Sequence, residues 1–434
     1  MKRLLLFSAI SSLLALPTIA GSKVGDVVDL TPTIKGYVVK ANGTNHEVEI
    51  YANPDNKPTG DLDIPYLYSS ASSDTYCPVR IAAQGFKQCD LTSVSVGGGM
   101  EYIGKDAFYG CVNLKSFTEK DPGSIGSVGE YAFYRTDALE KISLPGVYTL
   151  NQWAFYRSGI KSANFTNLEY LYAAAFYECF NLETFTGGEK LKYLDNIAFC
   201  KDEKLKYVLL GPNLSTIGSM AFAFCTSLKE IVIPENITSI AKDAFEGLSM
   251  ERVFILSPDF MEFCDQSKIL RNKYLQNIYC PADLINDIKN YIATGTEENR
   301  PDFLASQAEI HPLSDLVEVK QEIDDDFTIT PKYGDISAMF VFNPETGSEI
   351  RGTNYHYNLT GDKIGLQYRV DWKNLLRYTV TLDRASFVNN ISSEMPDDPG
   401  SFPVYFDLQG REVKNPSKGI YIIRENGKTK KITL

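Results

Sequence analysis

Apolar positions recur along the chain with a period too long for a helix or a single strand. An aliphatic residue followed four and five positions later by Ala-Phe opens each unit: Ile103 to Phe108, Val128 to Phe133, Leu150 to Phe155, Leu171 to Phe176, Leu194 to Phe199, Ile217 to Phe222 and Ile240 to Phe245. A degenerate copy, Ile81 to Phe86, precedes them, and successive phenylalanines stand 21 to 25 residues apart. A second apolar position follows each Phe by five or six residues, as at Leu114, Leu182 and Leu228. A third comes three residues later, as at Phe117, Phe185 and Ile231. Alternation such as Leu228-Lys229-Glu230-Ile231-Val232-Ile233, closed by Pro234, predicts one strand per repeat. One such unit cannot bury its apolar face alone, whereas eight stacked units share a continuous core. The pattern therefore predicts a parallel β solenoid.

Residues flanking the third apolar position should face outward if the strand alternates. They are polar in the middle repeats, as Lys141 and Ser143 or Thr184 and Thr186, and grow more apolar toward the C-terminal end, as Tyr207 and Leu209, Glu230 and Val232, and Arg252 and Phe254. An apolar outward column suggests a ligand-binding face; ordinary sheet surface is the competing reading. A second column follows the repeat Phe directly as Tyr109, Tyr134, Tyr156 and Tyr177. Stacked at strand spacing, about 4.8 Å, these rings would form a recognition ladder or pack between turns with their hydroxyls in water.

The block Ile217-Gly218-Ser219-Met220-Ala221-Phe222-Ala223-Phe224-Cys225-Thr226-Ser227-Leu228-Lys229-Glu230-Ile231-Val232-Ile233-Pro234 resembles the BspA-type leucine-rich repeat, and the likeness spans roughly residues 60–315. The resemblance implies a BspA-like leucine-rich-repeat parallel β solenoid in a secreted or surface protein that binds host or neighbouring-cell proteins. Glycans are a second partner class, with the tyrosine column as their expected site.

The ends divide the chain further. Lys2 and Arg3 before the apolar run Leu4–Leu16, with Thr18-Ile19-Ala20 ahead of Gly21, read as a signal peptide over 1–20. Residues 21–80 read as an N-terminal strand cap with a hairpin turning at Asn42-Gly43, plus a first degenerate repeat. The repeats occupy 81–256 and a C-terminal cap occupies 257–315, with a helix over Ala282–Ile292. Between Glu297 and Asp326 ten acidic residues face two basic ones, which predicts a solvated acidic linker over 316–326. Short strands separated by turn residues over 327–400 read as a β-sandwich-like domain. In the tail, 401–434, Asp407-Leu408-Gln409-Gly410-Arg411 and Lys418-Gly419-Ile420-Tyr421-Ile422-Ile423 resemble the type A sorting domain read by the type IX secretion system. That likeness implies the cell surface of a Gram-negative bacterium.

Composition changes the picture mainly by exclusion. A net charge of −12 argues against nucleic acid, whose affinity rests on cations neutralising phosphates. No stretch after the signal reaches the length and apolarity of a membrane-spanning helix. His46, His311 and His356 lie in three separate regions. The sequence holds no H-E-x-x-H, G-x-S-x-G or P-loop pattern, so no catalytic residue, metal site or cofactor is expected. Gly97-Gly98-Gly99 lacks the lysine of a phosphate cradle and reads as a turn. Cys89, Cys111, Cys179 and Cys225 each follow the repeat Phe by three residues and read as buried packing thiols; Cys264 and Cys280 could pair in the irregular end.

Overall fold

The computed structural model describes residues 22–70, 73–294, 307–323, 326–332, 335–346, 348–351, 356–358, 363–369, 375–381, 404–406, 420–425 and 428–433. The signal-like segment lies outside these residues, as do all of the Asp407–Arg411 motif and all of 382–403.

Each full repeat contributes two strands, where the sequence pattern predicted one. The longer carries the third apolar position, as in Thr184–Thr186 and Glu230–Ile233. The shorter, of two residues, carries the aliphatic residue ahead of Ala-Phe, as in Tyr102–Ile103, Thr149–Leu150 and Thr216–Ile217. These short strands pair in parallel and in register from Tyr102–Ile103 through to Ser239–Ile240, within a twelve-stranded sheet that starts at the N-terminal hairpin. Two residues are too few to show alternation, so the pattern disclosed only the longer strand. The hairpin itself runs Ile34–Asn42 and Asn45–Ala52, with Gly43 at φ 63° in its turn.

The longer strands form three parallel sheets: Gly60–Ile64 with Leu91–Val96 and Ser116–Glu119; Lys141–Ser143 through Tyr207–Leu209; and Glu230–Ile233, Arg252–Ile255, Asn277–Cys280 and Glu309–Pro312. Parallel pairing thus continues two strands beyond the point where the sequence period is lost. Between them lie the short 3-10 and α-helical segments Ala282–Leu284 and Ile285–Thr294.

The repeat phenylalanines form the spine of the core. From Phe86 to Phe245 neighbouring rings stack with centroids 5.0–5.6 Å apart and planes within 16° of parallel, all at 2% exposure or less. Phe117 and Phe185 insert edge-on beside them, an arrangement aromatic quadrupoles favour. The turn around each Phe is a ladder in its own right: from Phe108 to Phe222, each Phe amide donates to the next repeat's Ala carbonyl at 2.8–2.9 Å. Residues two before and two after each repeat Phe take left-handed φ of 50–71°. Bulky side chains enter that region at a cost, yet Tyr131, Trp153 and Ile197 occupy it because the inter-repeat bonds fix the turn.

All eight cysteines are free, so Cys264 and Cys280 form no disulfide. Cys111, Cys179 and Cys225 donate their thiols to the carbonyl of the preceding repeat's Phe at 2.9–3.1 Å. Burial pushes the Cys111 thiol up to about 12, which keeps it protonated and unreactive.

The stretch expected as an acidic linker is a strand, Val317–Ile323, preceded by a 3-10 turn over Leu313–Leu316. Its acidic residues alternate with apolar ones, so Val317 is buried while Glu318 is solvated. It pairs with Asp326–Pro331, which pairs with His356–Asn358. A second antiparallel sheet comprises Glu349–Ile350, Asp335–Phe342, Lys363–Arg369 and Leu375–Thr381. In the tail, Val404–Phe406, Ile420–Glu425 and Lys428–Thr433 form a third antiparallel sheet.

Candidate binding surface

The column expected to be exposed near the C-terminal end of the repeats is outward-facing but largely covered. Val232 and Phe254 are only 6% and 1% exposed, and with Leu256 and Tyr279 they share an apolar cluster with Leu313, Leu316, Val317, Phe327, Ile329 and Val341. Phe254, Tyr279 and His311 stack at 5.1 Å steps. The apolar side chains that suggested a foreign partner are therefore met by the chain's own C-terminal sheets, and this corrects the expected exposure of Val232 and Phe254. Glu230 is also buried, held by Arg252 at 2.8 Å. Arg252 remains exposed, and Tyr207 and Leu209 are half-buried.

N-terminal to this, the longer-strand face is lined by small polar groups. Thr184 donates to Ser162 at 2.9 Å and Asn164 to Ser143 at 3.3 Å. Ser93 bonds Asp61, and Ser95 bonds Asp63. The sheet is interrupted between Ser116–Glu119 and Lys141–Ser143, which belong to separate sheets. The repeat between Phe108 and Phe133 is the longest, and Glu119 folds its extra residues into a turn by accepting from the amides of Gly123 and Ile125 at 3.1 and 2.9 Å. The break leaves an open groove of about 910 Å³ between Thr118, Glu119, Glu140 and Lys141.

The four tyrosines that follow the repeat Phe stack in a column. Tyr109, Tyr134, Tyr156 and Tyr177 are half-buried, with ring centroids 4.4, 5.1 and 5.4 Å apart. Cations cover it at several rungs: Lys87 over Tyr109 at 4.4 Å, Arg157 over Tyr156 at 5.2 Å and Lys201 over Tyr177 at 5.5 Å. Glu178 ties the last two together, accepting from Arg157 at 2.7 Å and Lys201 at 3.1 Å, while Lys87 pairs with Asp106 at 3.2 Å. Burial pulls the Glu178 carboxyl up, but hydrogen bonds from Arg157, Lys201 and Tyr177 and the Arg157 charge together outweigh it and hold it below its ordinary value. Burial raises the Tyr156 phenol, which stays neutral and able to donate.

Two aromatic groups extend the ladder beyond the predicted residues. Tyr131 and Trp153, both left-handed, stack at 5.9 Å and meet Tyr134, Tyr156 and Tyr177 edge-on at 5.1–6.0 Å. On the short-strand sheet Tyr148 and Tyr170 are exposed, with Tyr172 and Tyr193 beside them. Reading every outward column of the aligned repeats, rather than the one after Phe, would have found both groups. Among the described residues no cluster of His, Cys, Asp or Glu is placed to hold a metal, and no helix is long and apolar enough to cross a membrane.

Stacked repeats with parallel strands, a phenylalanine spine and one conserved turn per repeat define a leucine-rich-repeat fold. The family model for the BspA type leucine-rich repeat region matches residues 79–206 and 192–310 in six copies, more than half of the chain. The chain belongs to that family. No curated protein sequence matches it. Among solved structures it is similar to a leucine-rich repeat protein from Bacteroides ovatus ATCC 8483, at 20% identity over 58% of this chain and 70% of that one, TM-score 0.39. It is also similar to the T. pallidum leucine-rich repeat protein TpLRR, at 19% identity over 43% and 83%, TM-score 0.37. A leucine-rich cell surface protein from Faecalibacterium prausnitzii A2-165 shares 16% identity over 66% and 94%, TM-score 0.23. The family assignment rests on the repeats and not on these likenesses.

Proposed function

We propose that the chain is an exported, non-enzymatic solenoid that binds extracellular host or neighbouring-cell proteins at the surface of a Gram-negative bacterium. The observation that carries this reading is the cation-covered aromatic ledge of Tyr109, Tyr134, Tyr156 and Tyr177 with Tyr131 and Trp153. Tyr, Trp and Arg are the side chains that dominate protein–protein hot spots, because they offer large amphipathic area at little entropic cost. Tyr207, Leu209 and Arg252 belong to the proposed surface, where the open longer-strand face meets the docked C-terminal sheets. Export rests on the signal-like residues 1–20, and surface retention on the resemblance of 401–434 to a sorting tail.

Pull-down of extracellular-matrix and plasma proteins by the purified chain tests the reading. Replacing Tyr134, Trp153 and Tyr156 together by serine should weaken capture at least tenfold, since one hot-spot side chain contributes about 2 kcal/mol or more. Full affinity in that variant, with unchanged circular dichroism, would remove the ledge from the binding site. A fusion of residues 401–434 to a secreted reporter tests the tail; release of the reporter into the medium without surface attachment would refute retention.

A further inference from the structure

Beside the ledge, on the short-strand sheet, lies a second concave feature of different chemistry, an open cleft of about 380 Å³. Its volume falls at the lower end of the range for small-ligand sites, roughly 300 to 1,000 Å³. Tyr148 and Tyr172 line it together with Glu130, Asn151, Gln152, Ser127 and Thr149. We propose that this cleft binds a neutral saccharide, one or two pyranose rings of a longer glycan.

Three observations select that ligand chemistry. Tyr148 is 52% exposed although it is large and aromatic, and its ring lies against Gly126, where an added Cβ would come within 2.6 Å of Cε1. Glycine there lets the ring approach the backbone closely while the ring still presents area to solvent, and an exposed aromatic ring is a platform suited to the C–H face of a pyranose. Beside it stand a carboxylate that only accepts, amides that both donate and accept, and hydroxyls that do either, a set that matches vicinal sugar hydroxyls. Asn151 is pre-oriented, its amide donating to the Val128 carbonyl at 2.8 Å, and Glu130 is held by Lys105 at 2.9 Å.

Other occupants fit less well. A peptide strand has no edge to extend, because Ser127–Val128 is paired with Tyr102–Ile103 and Thr149–Leu150, and the latter with Tyr170–Leu171. No aliphatic side chain lines the cleft as an anchor pocket. An anionic ligand would find no cation among the lining residues, and the nearby Lys105 is already engaged by Glu130. This inference is independent of the protein-binding reading, since none of its residues belongs to the ledge variant above.

The experiment is saturation-transfer NMR of the full chain with cellohexaose, mannohexaose and maltohexaose, followed by titration. At least one hexaose should bind with Kd of about 1 mM or tighter. Tyr148→Ala and Gln152→Ala should each weaken it at least tenfold, and Glu130→Gln should weaken it while leaving Tm unchanged. No binding of any hexaose at tenfold higher concentration overturns the proposal. So does unaltered affinity in Tyr148→Ala, an exposed position whose truncation leaves the core intact. If Tyr148→Ala instead abolishes protein capture and no hexaose binds, the cleft is part of a protein interface and the saccharide assignment is wrong.

Discussion

Asp202 stands where other repeats place Cys, Thr, Ser or Leu, three residues after the repeat Phe, and it is fully buried. Its Oδ1 accepts from the Cys179 amide at 2.8 Å, and burial raises its pKa well above the ordinary carboxyl value. The folded state therefore holds a proton that the unfolded chain gives up. Stability contributed at this site declines as pH rises past the ordinary carboxyl pKa, by about 1.4 kcal/mol per pH unit until the folded group ionises. Asp202→Asn keeps the acceptor and removes the titration. Denaturant unfolding across the range above about pH 4 should show the variant gaining on the parent as pH rises; parallel curves would refute the assignment. The position was legible in the sequence as inward, because an inward column repeats in kind. That a carboxyl could serve there was not, since the neighbouring thiols pointed to apolar packing and the amide it satisfies belongs to another repeat. The tyrosine column was legible for the same reason as the Phe spine. Tyr131 and Trp153 escaped notice because their column, two before the Phe, mixes Gln, Asp, Ala, Ile and Met with the two aromatics and so repeats only in position.

Individual repeats differ in length, and the differences have local causes. The shortest, from Phe155 to Phe176, closes its turn through Gly159, where an added Cβ would lie 2.0 Å from the Asp137 carbonyl oxygen. Gly159→Ala forces backbone against backbone and should destabilise the chain by about 1–3 kcal/mol, read as a lowered urea midpoint; an unchanged midpoint would show that this turn yields without strain. The longest repeat does the opposite, and its extra residues separate the sheet at Lys141. Sequence spacing revealed which repeat was long, but not that its insertion would break pairing, because the outcome depends on how Glu119 ties the turn. Strands of two residues were illegible for a simpler reason: their pairing partners lie a full repeat away and supply the only evidence of a strand.

For the whole molecule, the docked C-terminal sheets matter most. A chain ended at Pro312 would bring Val232, Phe254, Leu256 and Tyr279 into contact with water, an apolar patch of the kind soluble proteins keep small. Such a truncation should bind the dye ANS and self-associate, as read by fluorescence and light scattering; a monodisperse, dye-silent product would mean that the cluster contributes little. Capture experiments on the repeats alone would score that artificial patch as adhesion. The same seam has an evolutionary consequence. Strands from Glu230 to Pro312 share one apolar cluster with the two antiparallel sheets that follow them, so duplication or loss of repeats can proceed in the middle of the array but not at its C-terminal end. Variation in repeat number among descendants of this chain should therefore be confined to the segment ahead of Glu230, with the final strands inherited intact.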